Sequence, residues 1–314
     1  MLPKRPPRTG QVGFLYLPPY RVQGFSIAGE ETCVQVPELD VAFDIGMCPR
    51  IALASNYIAL SHGHMDHLGG LPYYFSQRTF LKMGTGTAIC HAAIAPDLRA
   101  MMQAWIPLEN QRTPHEIIGL EPGQQVQIKN NMFLRGLAMS HTVPTLGYAV
   151  LEKRSKLKEE YHELPQSRLR DLKQEGVEIT RTLHVPIVAY TGDTEICPAL
   201  FGEEFAKAKI VITECTFFEQ GHRDRSRIGK HLHVEDLVPL LKAWEAEAIV
   251  LVHVSRRTNL ALARERLHDL CGEENLPRLH FLMDARVNIR RYEQQLAEME
   301  AQAATAAPLD AERD

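Results

Sequence analysis

The stretch that decides the fold is the hexapeptide at positions 62–67, His62-Gly63-His64-Met65-Asp66-His67. Four of its six residues carry an imidazole or a carboxylate, the groups that bind zinc and other borderline first-row metals. It follows a predicted strand at 56–61 and precedes a predicted helix at 71–77. An isolated pair of histidines is more often structural. Four ligand-type residues at the mouth of a strand favour a metal site.

Three more potential ligands each follow an apolar segment further along the chain. They are His141 in Ser140-His141-Thr142, Asp193 in Thr191-Gly192-Asp193-Thr194 and His253 in Val252-His253-Val254-Ser255. Taken singly, Asp193 could cap a turn and the two histidines could pack locally. Strand ends on one edge of a sheet converge, so ligands far apart in sequence can form one site. The set as a whole predicts a shared metal centre.

Hydrophobic periodicity predicts strands first and then alternating strands and helices, an α/β pattern. The predicted strands cover 25–29, 32–36, 40–46, 56–61, 115–151, 187–192, 209–214 and 248–253. The predicted helices cover 71–77, 87–105, 199–207, 234–246, 259–270 and 285–302. No break in composition marks a linker, so we predict one domain over 1–303 and a disordered tail at 304–314. A charged segment at 152–182, with Pro165 in its middle, is predicted to be a solvated helical insertion.

Composition limits the classes of partner. The net charge of -4 gives no global field that would attract a polyanion, so any RNA contact must be local. No apolar run reaches the roughly 18 residues that span a bilayer, and the opening MLPKRPPRTG lacks the apolar core of a secretory signal. The six cysteines are scattered without a CxxC pair, which is typical of free thiols. We therefore expect a cytoplasmic protein that does not contact a membrane.

Five motifs follow one another along the chain: SHGHMDHLGG, SHTVPTLGY, YTGDTE, TECTFFE and HVSRR. In this order they resemble the motifs of the metallo-β-lactamase superfamily, most closely those of ribonuclease Z and its relatives. The resemblance covers roughly 43–256, most of the chain. It implies an αββα sandwich of two mixed sheets flanked by helices, with two zinc ions on one edge, although manganese or iron suits the same donors. It also implies a homodimer.

The resemblance further implies a ligand set. One metal would be held by His62, His64 and His141, and the other by Asp66, His67 and His253. Asp193 would bridge the two. Two-metal sites of this kind suit in-line displacement at phosphorus.

Catalytic roles also follow from the resemblance. Asp66 would orient or deprotonate the attacking water, and His231 in HLHVEDL would protonate the leaving group. His233 is a weaker candidate for contact with the substrate, and both histidines could instead be exposed loop residues. Glu214 in TECTF would orient a ligand or His231, with helix capping or surface placement as the alternative.

Three residues near these motifs receive lesser roles. Asp44 in FDIG matches an acidic residue that supports the metal loop in the superfamily. Arg256 in HVSRR could fork onto a phosphate, or could be solvated. A thiolate ligand at Cys215 is unnecessary once Asp193 bridges the metals.

Two features of ribonuclease Z are missing from this sequence. The interval from His141 to Asp193 has no Gly-Pro-rich arm tip, although KRSKLK at 153–158 could contact phosphates. VQGFSIAGEETC contains no GTGS-type loop. We therefore predict a ribonuclease Z-type phosphodiesterase acting on transfer-RNA precursors or another RNA. The alternatives are hydrolysis of a small phosphodiester, lactone or thioester at the same site, and a non-catalytic metal- or RNA-binding module.

Overall fold

The computed structural model describes residues 12–305, which form two seven-stranded sheets. In the first sheet the strands lie in sequence order: β1 (Gly13–Leu17), β2 (Tyr20–Ile27), β3 (Glu31–Val36), β4 (Val41–Phe43), β5 (Tyr57–Ala59), β6 (Thr87–His91) and β7 (Glu116–Leu120). In the second they also lie in sequence order: β8 (Gln125–Lys129), β9 (Met132–Ala138), β10 (Leu146–Leu157), β11 (Thr180–Tyr190), β12 (Ile210–Glu214), β13 (Ala248–Val252) and β14 (Leu279–Phe281).

Helices connect and cover these strands. The α-helices are α1 (Met65–Leu68), α2 (Leu71–Phe80), α3 (Ala95–Glu109), α4 (Gln166–Gln174), α5 (Glu203–Ala206), α6 (Arg223–Gly229), α7 (Val234–Ala243), α8 (Leu260–Cys271) and α9 (Ala285–Thr305). Short 3-10 helices lie at Pro37–Leu39, Arg50–Ala54, Ala92–Ile94, Glu159–Tyr161, Pro198–Phe201, Gln220–His222 and Glu273–Arg278. None of the helices in residues 12–305 is both long and apolar enough to cross a membrane.

Both sheets are mixed in the same way. Strands β1 to β4 pair antiparallel and β4 to β7 pair parallel. Strands β8 to β11 pair antiparallel and β11 to β14 pair parallel. The predicted sandwich of two mixed sheets flanked by helices is confirmed.

The side chains of each sheet are buried on both faces. On β10, Tyr148 and Val150 enter the core between the two sheets. Their neighbours Ala149 and Leu151 pack in a second core with Trp244 and other residues beneath the outer helices. A third core, under α2 and α3, covers the outer face of the first sheet. Burial on both faces explains why these strands are near-continuous apolar runs.

The predicted helix at 87–105 is wrong over its first five residues. Residues Thr87–His91 form β6, which pairs in parallel with both β5 and β7, and the α-helix begins only at Ala95. A short apolar run such as TAICH fits a buried strand or a helix equally well by periodicity, so tertiary pairing decides it. The predicted helix at 199–207 is divided into a 3-10 turn, Pro198–Phe201, and α5.

The charged insertion contains an extended ribbon as well as helix. Residues 152–157 and 180–182 belong to β10 and β11, and the predicted helical structure is confined to Glu159–Tyr161 and α4 between them. Strands β10 and β11 pair with each other from Tyr148–Tyr190 out to Leu157–Thr180, with a short helical cap between them. Beyond Glu152 neither strand has another partner in the sheet. We call 152–182 the arm. At the other end, α9 includes residues 304 and 305, and the rest of the predicted tail lies outside the described residues.

Candidate metal centre

The predicted ligands meet at one edge of the sandwich because each lies just beyond a strand that ends there. His62 and His64 follow β5, while Asp66 and His67 lie in the short helix α1. The second sheet contributes His141, Asp193 and His253 after β9, β11 and β13. Carboxyl ends of strands gather at one edge, which positions side chains from both sheets around one space.

Two glycines let the loops approach closely enough. Gly192 adopts a φ of +59°, and a Cβ there would lie 2.6 Å from the Cβ of Ser61. A Cβ on Gly46 would lie 2.1 Å from the carbonyl oxygen of Asp66. Only glycine therefore allows the loop of Asp193 to lie against the hexapeptide, and the FDIG turn to lie against α1.

Three imidazoles form the first group of ligands. The Nε2 of His62 lies 3.0 Å from the Nδ1 of His64, which lies 3.4 Å from the Nε2 of His141. One nitrogen from each ring lies within 4.8 Å of the others, a spacing that could hold a metal ion.

The second group contains Asp66, His67 and His253. The Oδ2 of Asp66 lies 3.6 Å from the Nε2 of both histidines. The Oδ2 of Asp193 lies 3.3 Å from the same two nitrogens and 3.8 Å from the Nε2 of His62. Asp193 is therefore the carboxylate between the two groups.

Hydrogen bonds on the far side of each ring set which nitrogen faces the site. Ser61 Oγ donates its proton to Asp44, so it must accept one from His62 Nδ1, at 2.9 Å. Thr216 Oγ1 donates to Glu214 and must accept from His253 Nδ1, also at 2.9 Å. Each ring then presents an unprotonated Nε2 to the site.

Two more rings are oriented in the same way. His67 Nδ1 lies 2.8 Å from a carboxylate oxygen of Asp44, and His141 Nδ1 lies 3.1 Å from the carbonyl oxygen of Lys230. Both acceptors require a proton on Nδ1, so the neutral form of each ring has its lone pair on Nε2.

These donors fit a metal pair. The Nε2 atoms of His67 and His253 are buried and have no hydrogen-bond partner in the described part of the chain. Buried nitrogens without partners are costly, and a metal ion between them and the carboxylates would satisfy both. Imidazole with carboxylate is a donor set that suits zinc and neighbouring first-row ions.

Asp44 is the support that organises this side of the site. The carboxylate is fully buried and accepts hydrogen bonds from the backbone and hydroxyl of Ser61, from His67 and from the hydroxyl of Tyr190. Asp44 belongs to none of the groups that could hold a metal. The contacts agree with the supporting role expected for it.

His231 lies beside both ligand groups. Its ring stacks on His253, with centroids 5.2 Å apart, and its Nδ1 lies 3.0 Å from Oε1 of the buried Glu214. Burial alone would lower the pKa of His231, but the charge and hydrogen bond of Glu214 raise it to about 9. Glu214 also accepts from the backbone of Thr194, which follows Asp193. Glu214 is thus a positioning residue that orients His231 and the Asp193 loop.

The structure places three other residues away from the ligand groups. His233 is buried, accepts from the backbone of Glu235 as a helix cap and bonds the carbonyl of Glu219, which favours capping over substrate contact. Arg256 is exposed and already forks onto Glu30. Cys215 is buried, and its thiol belongs to none of the candidate ligand groups.

Sequence reasoning missed the hydroxyls that fix the rings. Ser61, Thr216 and Tyr190 lie inside the quoted motifs, as the serine of SHGH, the threonine of ECTF and the tyrosine of YTGD. Their positions within these motifs were the signal that could have identified them. The sequence offers no way to tell which ring nitrogen each one contacts.

We expect Thr216→Val to weaken metal binding about 10- to 100-fold, the usual cost of losing a hydrogen bond behind a ligand. Valine has the same shape but cannot accept the proton of His253 Nδ1, so the ring loses its fixed tautomer. Competition with a chromogenic chelator measures the affinity. Thr79→Val, on the remote helix α2, is the matched control. Equal metal affinities of Thr216→Val and the unmodified protein would contradict the role of Thr216 in fixing the His253 ring.

This chain is similar to known proteins in both sequence and fold. Residues 49–254 match the beta-lactamase superfamily domain. The chain is 34% identical to a tRNase Z of Arabidopsis thaliana over 241 residues, which is 76% of this chain and 86% of that protein. The fold is similar to a metallo-beta-lactamase fold protein of Bacillus subtilis, with a TM-score of 0.56 and 16% identity over 82% of this chain and 93% of that one. It is also similar to human tRNase Z, short form, with a TM-score of 0.54 and 14% identity over 86% and 95% of the two chains.

Proposed function

Because this chain belongs to the ribonuclease Z family of the beta-lactamase superfamily, and is a metal-dependent hydrolase of that type, we propose that it cleaves RNA phosphodiesters with two zinc ions. Transfer-RNA precursors are the proposed substrate, since the relative in Arabidopsis thaliana is named for that activity. Manganese or iron remains the alternative to zinc, because the same nitrogen and oxygen donors accept them.

The observation that carries this proposal is the pre-oriented donor set. Four rings are held by hydroxyl, carboxylate or carbonyl acceptors so that Nε2 faces the cluster. Two metal ions, when bound, would polarise phosphoryl oxygens and lower the pKa of water. His62, His64 and His141 would hold one ion and Asp66, His67 and His253 the other, with Asp193 between them.

The residues around the donors supply the rest of the chemistry. Asp66 is the partly exposed carboxylate of the site, with 18% of its side chain accessible, so it can accept a proton from the attacking water. The backbone of Gly29 donates to its Oδ2 at 3.0 Å and fixes its direction. His231 uses Nδ1 to bond Glu214, so the proton at Nε2 is the one it can give to the leaving oxygen.

The proposal is tested by measuring turnover of three substrates by the zinc-loaded protein: a transfer-RNA precursor, bis(p-nitrophenyl) phosphate and an acyl-lactone. Cleavage of the precursor and of the phosphodiester, lost with a chelator and restored by zinc, is the expected result. Turnover of the lactone alone would favour the alternative reaction class. Absence of turnover on all three, with metal bound, would favour a non-catalytic module.

The arm is the proposed RNA contact. Because the net charge of the whole chain is small and negative, RNA has to be bound by a local group of basic side chains, and the arm carries such a group. Lys153, Arg154 and Lys156 lie along the outer end of β10, and Lys158 follows directly after it. Across from them on β11, Arg181 pairs with Lys156 and His184 with Lys153. A two-stranded ribbon carrying these side chains can follow a phosphate backbone without reading sequence.

We expect Lys156→Glu combined with Lys158→Glu to raise KM for a transfer-RNA precursor at least about tenfold. Each lost phosphate contact removes an electrostatic contribution, and each new carboxylate repels the RNA. Because the arm does not form the metal cluster, turnover of bis(p-nitrophenyl) phosphate should stay unchanged. The control is Arg168→Glu with Lys173→Glu on α4. It tests whether the loss of any two basic side chains in the arm raises KM for RNA to the same extent. An unchanged KM for RNA in the first variant would contradict the role of the ribbon.

We also propose that the protein forms a homodimer in the cytoplasm. Apolar side chains of α2 and α3 face solvent, with exposed fractions of 77% for Phe80 and 72% for Leu108. Exposed apolar groups of this size often mark a subunit interface. All six cysteines are free and buried, which suits a reducing compartment. Light scattering on the purified protein tests the dimer.

A further inference from the structure

A cavity of about 370 Å³ lies at the edge of the second sheet, between β14 and α9. None of the metal ligands lines it. Helix α9 is fixed there by Asn288, which donates to the carbonyl oxygens of Phe281 and Leu282, and by Gln295, which donates to Tyr16 on β1. The walls are therefore set by packing on both sheets.

Half of the six polar side chains that line this cavity carry a positive charge, and the others, His280, Asn288 and Gln294, are neutral. Arg264, Arg290 and Arg291 face it, together with His280 from β14. No carboxylate is among the lining residues. Arg264 is held by Asp284 and by the ring of Phe281, with its guanidinium carbon 5.3 Å from the ring centroid. The other two arginines pair with no carboxylate among the side chains that the structure describes.

Two buried nitrogens in the cavity wall lack a hydrogen-bond partner. They are Nε of Arg291 and Nε2 of His280, in the part of the chain that the structure describes. A buried donor without a partner costs the free energy of its desolvation, so such groups usually mark a missing ligand or water. Burial and the charge of Arg291 lower the pKa of His280 to about 4, so its ring is neutral at physiological pH. The positive charge of the site comes from the arginines.

A second, mainly apolar space of about 380 Å³ lies beside the cavity along α8, and Glu265 and His268 are among its lining residues. Four residues line both spaces: Arg264, Leu276, Leu279 and Phe281. Leu267 also lines the second space. A ligand that fills both would have an anionic group among the arginines and an apolar or planar body against Leu276, Leu279 and Phe281. Each space has the volume of a small-molecule site.

We propose that this cavity binds a phosphate monoester with a planar body, of which a nucleoside monophosphate has the matching size and polarity. Guanidinium groups form forked hydrogen bonds with phosphate oxygens, so Arg290 and Arg291 would supply the donors to the phosphate. The aromatic ring of Phe281 and the two leucines provide the surface for the base. The inference does not depend on hydrolysis at the metal centre.

Isothermal titration calorimetry of the metal-loaded full chain tests it with adenosine monophosphate, inorganic phosphate and adenosine. The monophosphate should bind with a dissociation constant in the micromolar range, inorganic phosphate at least about tenfold more weakly, and adenosine not measurably. Arg290→Gln and Arg291→Gln should each weaken binding of the monophosphate roughly 10-fold to 100-fold. Arg286→Gln, on the same helix but outside the cavity, makes the same charge change and should leave the affinity unchanged.

Several results would overturn the proposal. One is that the monophosphate fails to bind at millimolar concentration. Another is that it binds equally well to the Arg290→Gln and Arg291→Gln variants, because it would then bind at another site, such as the metal centre. Equal binding of adenosine would exclude recognition of the phosphate, and equal binding of inorganic phosphate would exclude the apolar space. Arg290 is exposed, so its variant should fold even if Arg291→Gln does not. Turnover of RNA, measured separately, keeps this test distinct from that of the proposed hydrolysis.

Discussion

Replacing Asp66 with alanine should lower kcat on both RNA and bis(p-nitrophenyl) phosphate at least about 10³-fold, since metal activation contributes several kcal/mol. The Oδ2 atom of Asp66 lies 3.6 Å from the Nε2 atoms of both His67 and His253, so its loss leaves the second group of donors with one carboxylate, Asp193. We expect the metal content, measured by plasma mass spectrometry, to fall from near two to near one ion per chain.

Asp66→Asn separates the two roles of this side chain. The amide keeps an oxygen that can act as a ligand, but it cannot accept a proton from water. If Asp66 acts as the base, the asparagine variant should recover much of the metal content and little of the activity. Asp269→Asn, a surface carboxylate on α8 that is 59% exposed, is the matched control. Full activity in Asp66→Asn would contradict the base role, and full activity in Asp66→Ala would contradict the metal assignment.

His231→Ala should slow RNA cleavage about 10²- to 10⁴-fold, the usual contribution of general acid catalysis. The leaving alkoxide of RNA needs a proton, whereas nitrophenolate leaves without one. The loss on bis(p-nitrophenyl) phosphate should therefore stay below about tenfold. Single-turnover kinetics on the two substrates measures the difference. The geometry supports this because Glu214 occupies Nδ1 and leaves Nε2 for the substrate.

Two further variants make the test of His231 specific. His222→Ala removes a partly exposed histidine on the segment that precedes α6 and should change neither rate. Glu214→Gln keeps the shape of the buried side chain but removes its charge. It should lower the RNA rate more than the nitrophenyl rate, in parallel with His231→Ala. Equal losses on both substrates in His231→Ala would make the ring a structural element of the metal centre.

Much of the fold could be predicted from the sequence because most strands and helices carry their own periodicity. The strands that lead to Asp44 and His253, and helices such as α7 and α8, lie where the pattern places them. β6 could not be predicted, because its five residues have no periodicity of their own and become a strand only by pairing between two neighbours. The ribbon of the arm is likewise defined by pairing across more than twenty residues.

The sequence alone determined the identity of the candidate ligands. The hexapeptide places four of them within six positions, and the others each follow an apolar strand, so local order is enough to identify them. The sequence also predicted that Glu214 would support His231. For the ligands, the chemical type of the side chain and its position after a strand carried the information, whereas the role of Glu214 came from the resemblance of its motif to ribonuclease Z.

The tertiary structure alone decided what each of these groups faces. Ser61 and Thr216 orient the rings of His62 and His253 because each hydroxyl gives its proton to a carboxylate and accepts one from the ring. Only the fold brings Asp44 within reach of His67. The same is true of Arg256, which bonds Glu30 across 226 positions of the chain. Hydrogen bonds depend on distance and direction in space, and residues distant in sequence acquire both only when the two sheets pack together.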